Sequence, residues 1–160
     1  MTGLVDLHSH SDCSDGSLDP AQLVDHAVEA GLAVLALTDH DTTAGHPRFR
    51  LRAEERGLTA VCGVEVSCEW TVPEGHCHLL GLGVRDDHPG LEATLREIRD
   101  GRDLRNQRIV ARLNELGYPV TLEEIEARAG GDVVARPHFA EVLLDHGLVS
   151  TRQEAFDRLL

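Results

Sequence analysis

Leu32-Ala33-Val34-Leu35-Ala36-Leu37-Thr38 is a short, unbroken apolar run, and its reading decides the fold. A run this short, bounded by turn residues, predicts a strand buried on both faces of a parallel sheet. Working back from it, Gly31 stops a predicted helix in which Leu23, Val24, Ala27, Val28 and Ala30 recur at helical spacing. Asp19 is its expected cap and Pro20 fits its first position. Before that helix, Leu4 to His10 reads as a first strand, and Ser11 to Ser17 as a polar, turn-rich loop. Working forward, the polar cluster Asp39-His40-Asp41-Thr42-Thr43 closes the apolar run. A second helix is predicted over His46 to Arg56, ended by Gly57, then a third strand over Leu58 to Val66 with Glu65 near its end. A fourth strand, Cys77 to Val84, is entered from a hairpin-like excursion through Glu69 to Gly75. This alternation predicts a parallel α/β sheet or barrel, in which a site is built at the carboxyl ends of the strands.

After about Asp86 the character changes to helices: Leu91 to Leu116, Leu122 to Ala129 behind a Thr121 cap, Pro137 to His146, and a last one capped by Ser150. The expected organisation is therefore an α/β part over residues 1–87 and a helical subdomain over 88–160. At 160 residues and 41% apolar composition the chain can bury a real core, and with 3% aromatics that core must be mostly Leu, Val and Ala. A formal charge of −13 argues against a DNA duplex or an anionic membrane as docking partner. A small phosphorylated substrate stays compatible, because bound cations reverse the local field. No apolar run resembles a signal peptide or membrane span. Cys13, Cys62, Cys68 and Cys77 form no Cys-x-x-Cys pair, so a reduced cytoplasmic protein with free thiols is expected.

Ten histidines are many for this length. In Val5-Asp6-Leu7-His8-Ser9-His10-Ser11 the two-residue period of a strand aims Asp6, His8 and His10 at one face. An isolated His-x-His is as often a solvated polar edge. Here the strand ends and following loops add Asp15, His40, Glu65 and His78, a set able to hold two or three divalent ions. Asp39 and Asp41 flank His40 and could accept from a ligand imidazole or cap the next turn. His26, His46, His88 and His146 read as ordinary exposed or partly buried residues. In the long helix Arg99, Arg102 and Arg112 read as a solvated face, with Arg105 and Arg108 the better substrate candidates.

Asp6-Leu7-His8-Ser9-His10 with Ser14-Asp15-Gly16, Thr38-Asp39-His40-Asp41, Gly63-Val64-Glu65-Val66-Ser67 and His78-Leu79-Leu80-Gly81 together resemble the PHP (polymerase and histidinol phosphatase) superfamily. The order matches along the whole chain, including Arg136-Pro137-His138. The resemblance implies an α/β fold, the N-terminal part of a distorted (β/α)7 barrel carrying a helical insertion. It implies two or three Mn, Fe or Zn ions held by His8, His10, Asp15, His40, Glu65 and His78, with Arg136 and His138 facing substrate. It also implies hydrolysis of phosphomonoester or phosphodiester bonds by a metal-bound hydroxide, on nucleotides or short RNA ends. Later strands of the family, which supply a His in Ala-His-Pro and an Asp-x-His, have no counterpart here. A partial site, an open sheet edge that could pair with another copy, and impaired hydrolysis are therefore expected. Two other readings stand beside this one: a non-catalytic metal-binding or interaction module of the same shape, and metal-dependent C–N hydrolysis. The last would want a bridging Lys, and the chain has none.

Overall fold

The computed structural model describes residues 3–71, 74–129, 131 and 133–160. Its elements run β1 (Leu4–Ser9), α1 (Pro20–Glu29), β2 (Leu32–Leu37), α2 (His46–Arg56), β3 (Thr59–Thr71), β4 (Glu74–Leu82), then α3 (Pro89–Glu115), α4 (Leu122–Ala129), α5 (Arg136–Asp145) and α6 (Arg152–Arg158). The four strands form one sheet in the order β1-β2-β3-β4. β1 and β2 pair in parallel with Val5 opposite Val34, and β2 and β3 in parallel with Leu35 opposite Ala60.

The expected helix signals operate as read. Asp19 accepts from the Ala21 N–H, while Gln22 accepts from the Asp19 N–H. Gly57 ends α2 at φ 69°, a left-handed conformation that costs glycine nothing. Thr121 and Glu124 exchange hydrogen bonds as a capping box at α4. One cap differs: Thr151, not Ser150, accepts from Glu154 N–H at α6, and the Ser150 N–H donates to the Glu154 carboxylate.

The third strand runs past its predicted end. β3 continues to Thr71 and returns through β4 as an antiparallel ribbon, with Glu65 opposite Leu80 and Ser67 opposite His78. The hairpin-like excursion is thus part of the ladder, and the sheet is mixed. Gly63 permits this close pairing, because a Cβ there would lie 2.7 Å from both Gly81 O and Thr38 Cγ2.

Two apolar clusters form. In one, Val24, Ala27, Phe49 and Ala53 of α1 and α2 pack on Leu35 and Leu37 of β2. In the other, Leu113, Ile125, Phe139, Leu143 and Ala155 join the C-terminal half of α3 to α4, α5 and α6. Among the described residues no helix is long and apolar enough to cross a membrane.

Candidate metal centre

Strands β1, β3 and β4 and the loops after β1 and β2 bring six side chains together. Glu65, 6% exposed near the middle of β3, is the hub. Its Oε2 lies 2.8 Å from His8 Nε2, 3.0 Å from His10 Nε2 and 3.6 Å from His40 Nδ1, and its Oε1 lies 2.8 Å from His78 Nδ1. Asp15, on the loop after β1, sits 3.2 Å from His10 Nδ1 and 3.6 Å from His40 Nε2. Three overlapping triads result: His8-His10-Glu65, His10-Asp15-His40 and His40-Glu65-His78. Asp6 lies outside them, exposed, with its Oδ1 accepting from the His8 N–H.

The local chain explains this convergence. A single parallel bridge joins His40 to Glu65, with Asp41 N–H donating to Glu65 O and Glu65 N–H to Asp39 O. Asp39, 1% exposed, accepts from Ser11 N–H and from the hydroxyls of Ser11 and Ser14, so it shapes the loop that presents Asp15. Asp41, fully buried at φ 53°, accepts from Ser67 N–H and hydroxyl and from the Arg102 guanidinium. Neither carboxylate touches an imidazole among the described contacts; each holds backbone that carries a ligand.

The electrostatics suit a cation. Burial by itself would raise both carboxyls, but the His10 hydrogen bond and the charges of His40 and His10 hold Asp15 below its ordinary value. Glu65 is likewise depressed, desolvation being outweighed by the His8 hydrogen bond and by the charges of His40, His10 and His8. Burial pushes His40 down, toward the neutral imidazole a metal requires. His40 Nδ1 is buried with no hydrogen-bond partner among the described residues. An orphaned ring nitrogen facing a carboxylate is what a ligand set looks like without its ion, so this donor set fits a divalent cation.

A cleft of about 650 Å³ opens beside the cluster, lined by Asp15, His40 and His78 and by Arg105, Arg108 and Arg136. Ile98, Pro137 and Phe156 supply its apolar part. Arg136 Nε is buried without a hydrogen-bond partner among the described residues. His138 is 5% exposed, and its Nδ1 accepts from Ala135 N–H across the first turn of α5. Its Nδ1 is thus committed to the helix start, while Asp15 of the cluster is close enough to act on its charge; burial, the largest effect, lowers its pKa.

Other residues depart from the sequence reading. Arg99 donates to Asp41 O at 2.8 Å and Arg102 binds Asp41 and Ser67, so these two fasten α3 over the rim rather than forming a solvated face. His46 is 1% exposed with Nε2 2.8 Å from Gly63 O, a structural core histidine. His76 shares the strand parity of His78 and so has a minor claim as a ligand, but its side chain lies outside the described residues. Phe156 was invisible in the sequence, where it is one apolar position of a short terminal helix.

Residues 6–134 match the PHP domain family. Among curated relatives, a 5'-3' exoribonuclease of Haemophilus influenzae is 40% identical across 100% of this chain and 57% of its own length. A 3',5'-nucleoside bisphosphate phosphatase of Chromobacterium violaceum is 36% identical over 98% of this chain and 54% of its own. The chain thus spans a little over half the length of these relatives. Among solved structures, an amidohydrolase from Chromobacterium violaceum, with bound sulfate and no metal, superposes at a TM-score of 0.89 with 37% identity, over 98% of this chain and 55% of its own. A protein assigned as a metal-dependent phosphoesterase from Bifidobacterium adolescentis superposes at 0.88 with 31% identity, over 97% of this chain and 54% of its own.

Proposed function

The chain belongs to the PHP domain family, and from that premise we propose that it forms the metal-holding half of a phosphoesterase acting on small nucleotide phosphates or short RNA ends. The observation that carries this reading is the Glu65 carboxylate, reached by four imidazoles at 2.8 to 3.6 Å, two of which, His40 and His78, line a cleft together with Arg105, Arg108 and Arg136.

His8, His10, Asp15, His40, Glu65 and His78 would hold two or three divalent ions. The mixed imidazole and carboxylate set suits Mn, Fe or Zn. When bound, such ions supply Lewis acidity toward water and the phosphoryl oxygens. The chain's own residues do the rest. Arg136, Arg105 and Arg108 present guanidinium groups to phosphate oxygens in a partly dry cleft, where charge-assisted hydrogen bonds are strong. Phe156 and Ile98 offer apolar contact to the non-phosphate part of a nucleotide. His138 positions Arg136 by fixing the first turn of α5. Hydrolysis of C–N bonds, which the name of one structural neighbour suggests, is less supported, since the chain has no lysine.

We read residues 1–87 as the sheet-bearing unit and 88–160 as the helical unit that roofs it. A reducing cytoplasmic setting agrees with four cysteines that are all free thiols. The test is elemental analysis of the purified chain together with phosphate release from a nucleoside 3',5'-bisphosphate, with Glu65→Gln as control. Bound metal that is depleted in Glu65→Gln, with slow chelator-sensitive phosphate release, supports the reading. Metal without any release supports a non-catalytic module, and no metal at saturating Mn or Zn overturns both.

A further inference from the structure

Cys68 and Cys77 are register partners on β3 and β4, directly across the antiparallel ribbon from one another. Directly opposed residues in such a pair have Cα atoms about 4.5 to 5.5 Å apart, inside the roughly 4.4 to 6.8 Å span of a disulfide. Both residues are partly exposed free thiols. The Cys77 thiol is close enough to act on Cys68: desolvation first, and then Cys77, pushes the Cys68 thiol up. The two-residue period of a strand turns them from the Ser67 and His78 positions, although Cys68 still borders the cleft, and neither belongs to the candidate ligand triads, so a bond between them removes no ligand. Leu79, of the same strand parity as Cys77, is 63% exposed, which leaves a small oxidant a path of approach. Cys13 and Cys62 lack this arrangement; Cys13 is buried and Cys62 faces α2, where Arg50 reaches its sulfur.

We propose that Cys68 and Cys77 form a dithiol site that a small-molecule disulfide, such as oxidised glutathione, converts to an intramolecular cross-strand disulfide. One cysteine loses its proton and attacks the glutathione disulfide, expelling one glutathione thiolate and leaving a mixed disulfide. The opposing thiolate then attacks the protein-bound sulfur and expels the second glutathione. Two protein thiols are oxidised, two electrons pass to glutathione, and two equivalents of reduced glutathione leave. The bond fixes the register of the ribbon one residue beyond the Ser67 and His78 pair. This inference is independent of what the histidine cluster binds.

The test treats the folded chain with oxidised glutathione, traps free thiols with a maleimide, and digests the denatured product after glutamate. Cleavage puts Cys62 on peptide 56–65, Cys68 on 66–69 and Cys77 on 75–92, so each pairing gives a distinct mass. The expected result is a linked 66–69/75–92 pair, loss of two of the four maleimide-reactive thiols, and reversal by a dithiol reductant. Cys68→Ser and Cys77→Ser should each abolish the link, and Cys62→Ser should leave it. Four thiols still free, glutathione retained as a stable adduct, or a link that includes Cys62 would each overturn the proposal.

Discussion

Asp39 shows how one buried carboxylate can matter without touching a substrate. It satisfies one backbone and two hydroxyl donors in a place 1% exposed to solvent. Asp39→Ala leaves all three unpaired, and a loss of about 3 kcal/mol is expected from buried donors of this kind. Urea unfolding measures it, and metal content should fall too, because Asp15 rides on the same loop. Cys62 gives a pH-dependent counterpart. Burial would raise its thiol, but His46 and Arg50 outweigh that and lower it, whereas burial raises Cys13. Alkylation by iodoacetamide should therefore set in at lower pH for Cys62 than for Cys13, since the thiolate is the reactive form. Arg50→Gln should move the Cys62 profile to higher pH; an unchanged profile would show that the cation is not responsible.

Among the elements, α3 is the one whose role the sequence hid. A polar helix face says nothing about whether solvent or a buried carboxylate lies opposite, and Asp41 is 58 residues from Arg99 along the chain. The Arg102 side chain is 10% exposed and Asp41 fully buried, so Arg102→Met strands a buried charge. We expect a loss of about 3 kcal/mol, with faster amide exchange in the N-terminal half of α3. Capping and apolar periodicity are local signals, and for that reason α1, α2 and α4 were legible within a residue or two. The extension of β3 was legible only as a hairpin-like excursion: its added length is stabilised by pairing with β4, and the strand pattern of Glu69 to Gly75 alone does not reveal that ladder. Gly63 belongs to the same pairing, and Gly63→Ala should cost about 2 kcal/mol through contact with Gly81 O, read as a lowered urea midpoint.

At the scale of the molecule, β1 is an outer strand with Leu4, Val5 and Leu7 exposed at 67, 57 and 41%. Unpaired backbone groups beside apolar side chains invite another copy, so Val5→Lys should reduce concentration-dependent association in sedimentation velocity. His8, His10, Asp15 and His40 were readable because they sit at or beside the ends of β1 and β2, where α/β folds place their sites. Glu65 and His78 lie mid-strand in the longer β3 and β4, and were legible through predicted strands shorter than those that form. Arg105, Arg108 and Arg136 were also legible along the chain, whereas Phe156 was not, since only the packing of α6 against the other helices brings it to the cleft. Residues 39–41 carry a wider implication. Three consecutive side chains are committed to three separate chain segments: the loop after β1, the histidine rim, and the ribbon with its overlying helix. A tripeptide has too few rotatable bonds to relax one of these without straining the others. Ser14→Ala and Arg102→Met, which share no contact, should therefore be non-additive by about 0.5 kcal/mol or more in a double-mutant cycle, distant positions answering as one through a strut three residues long.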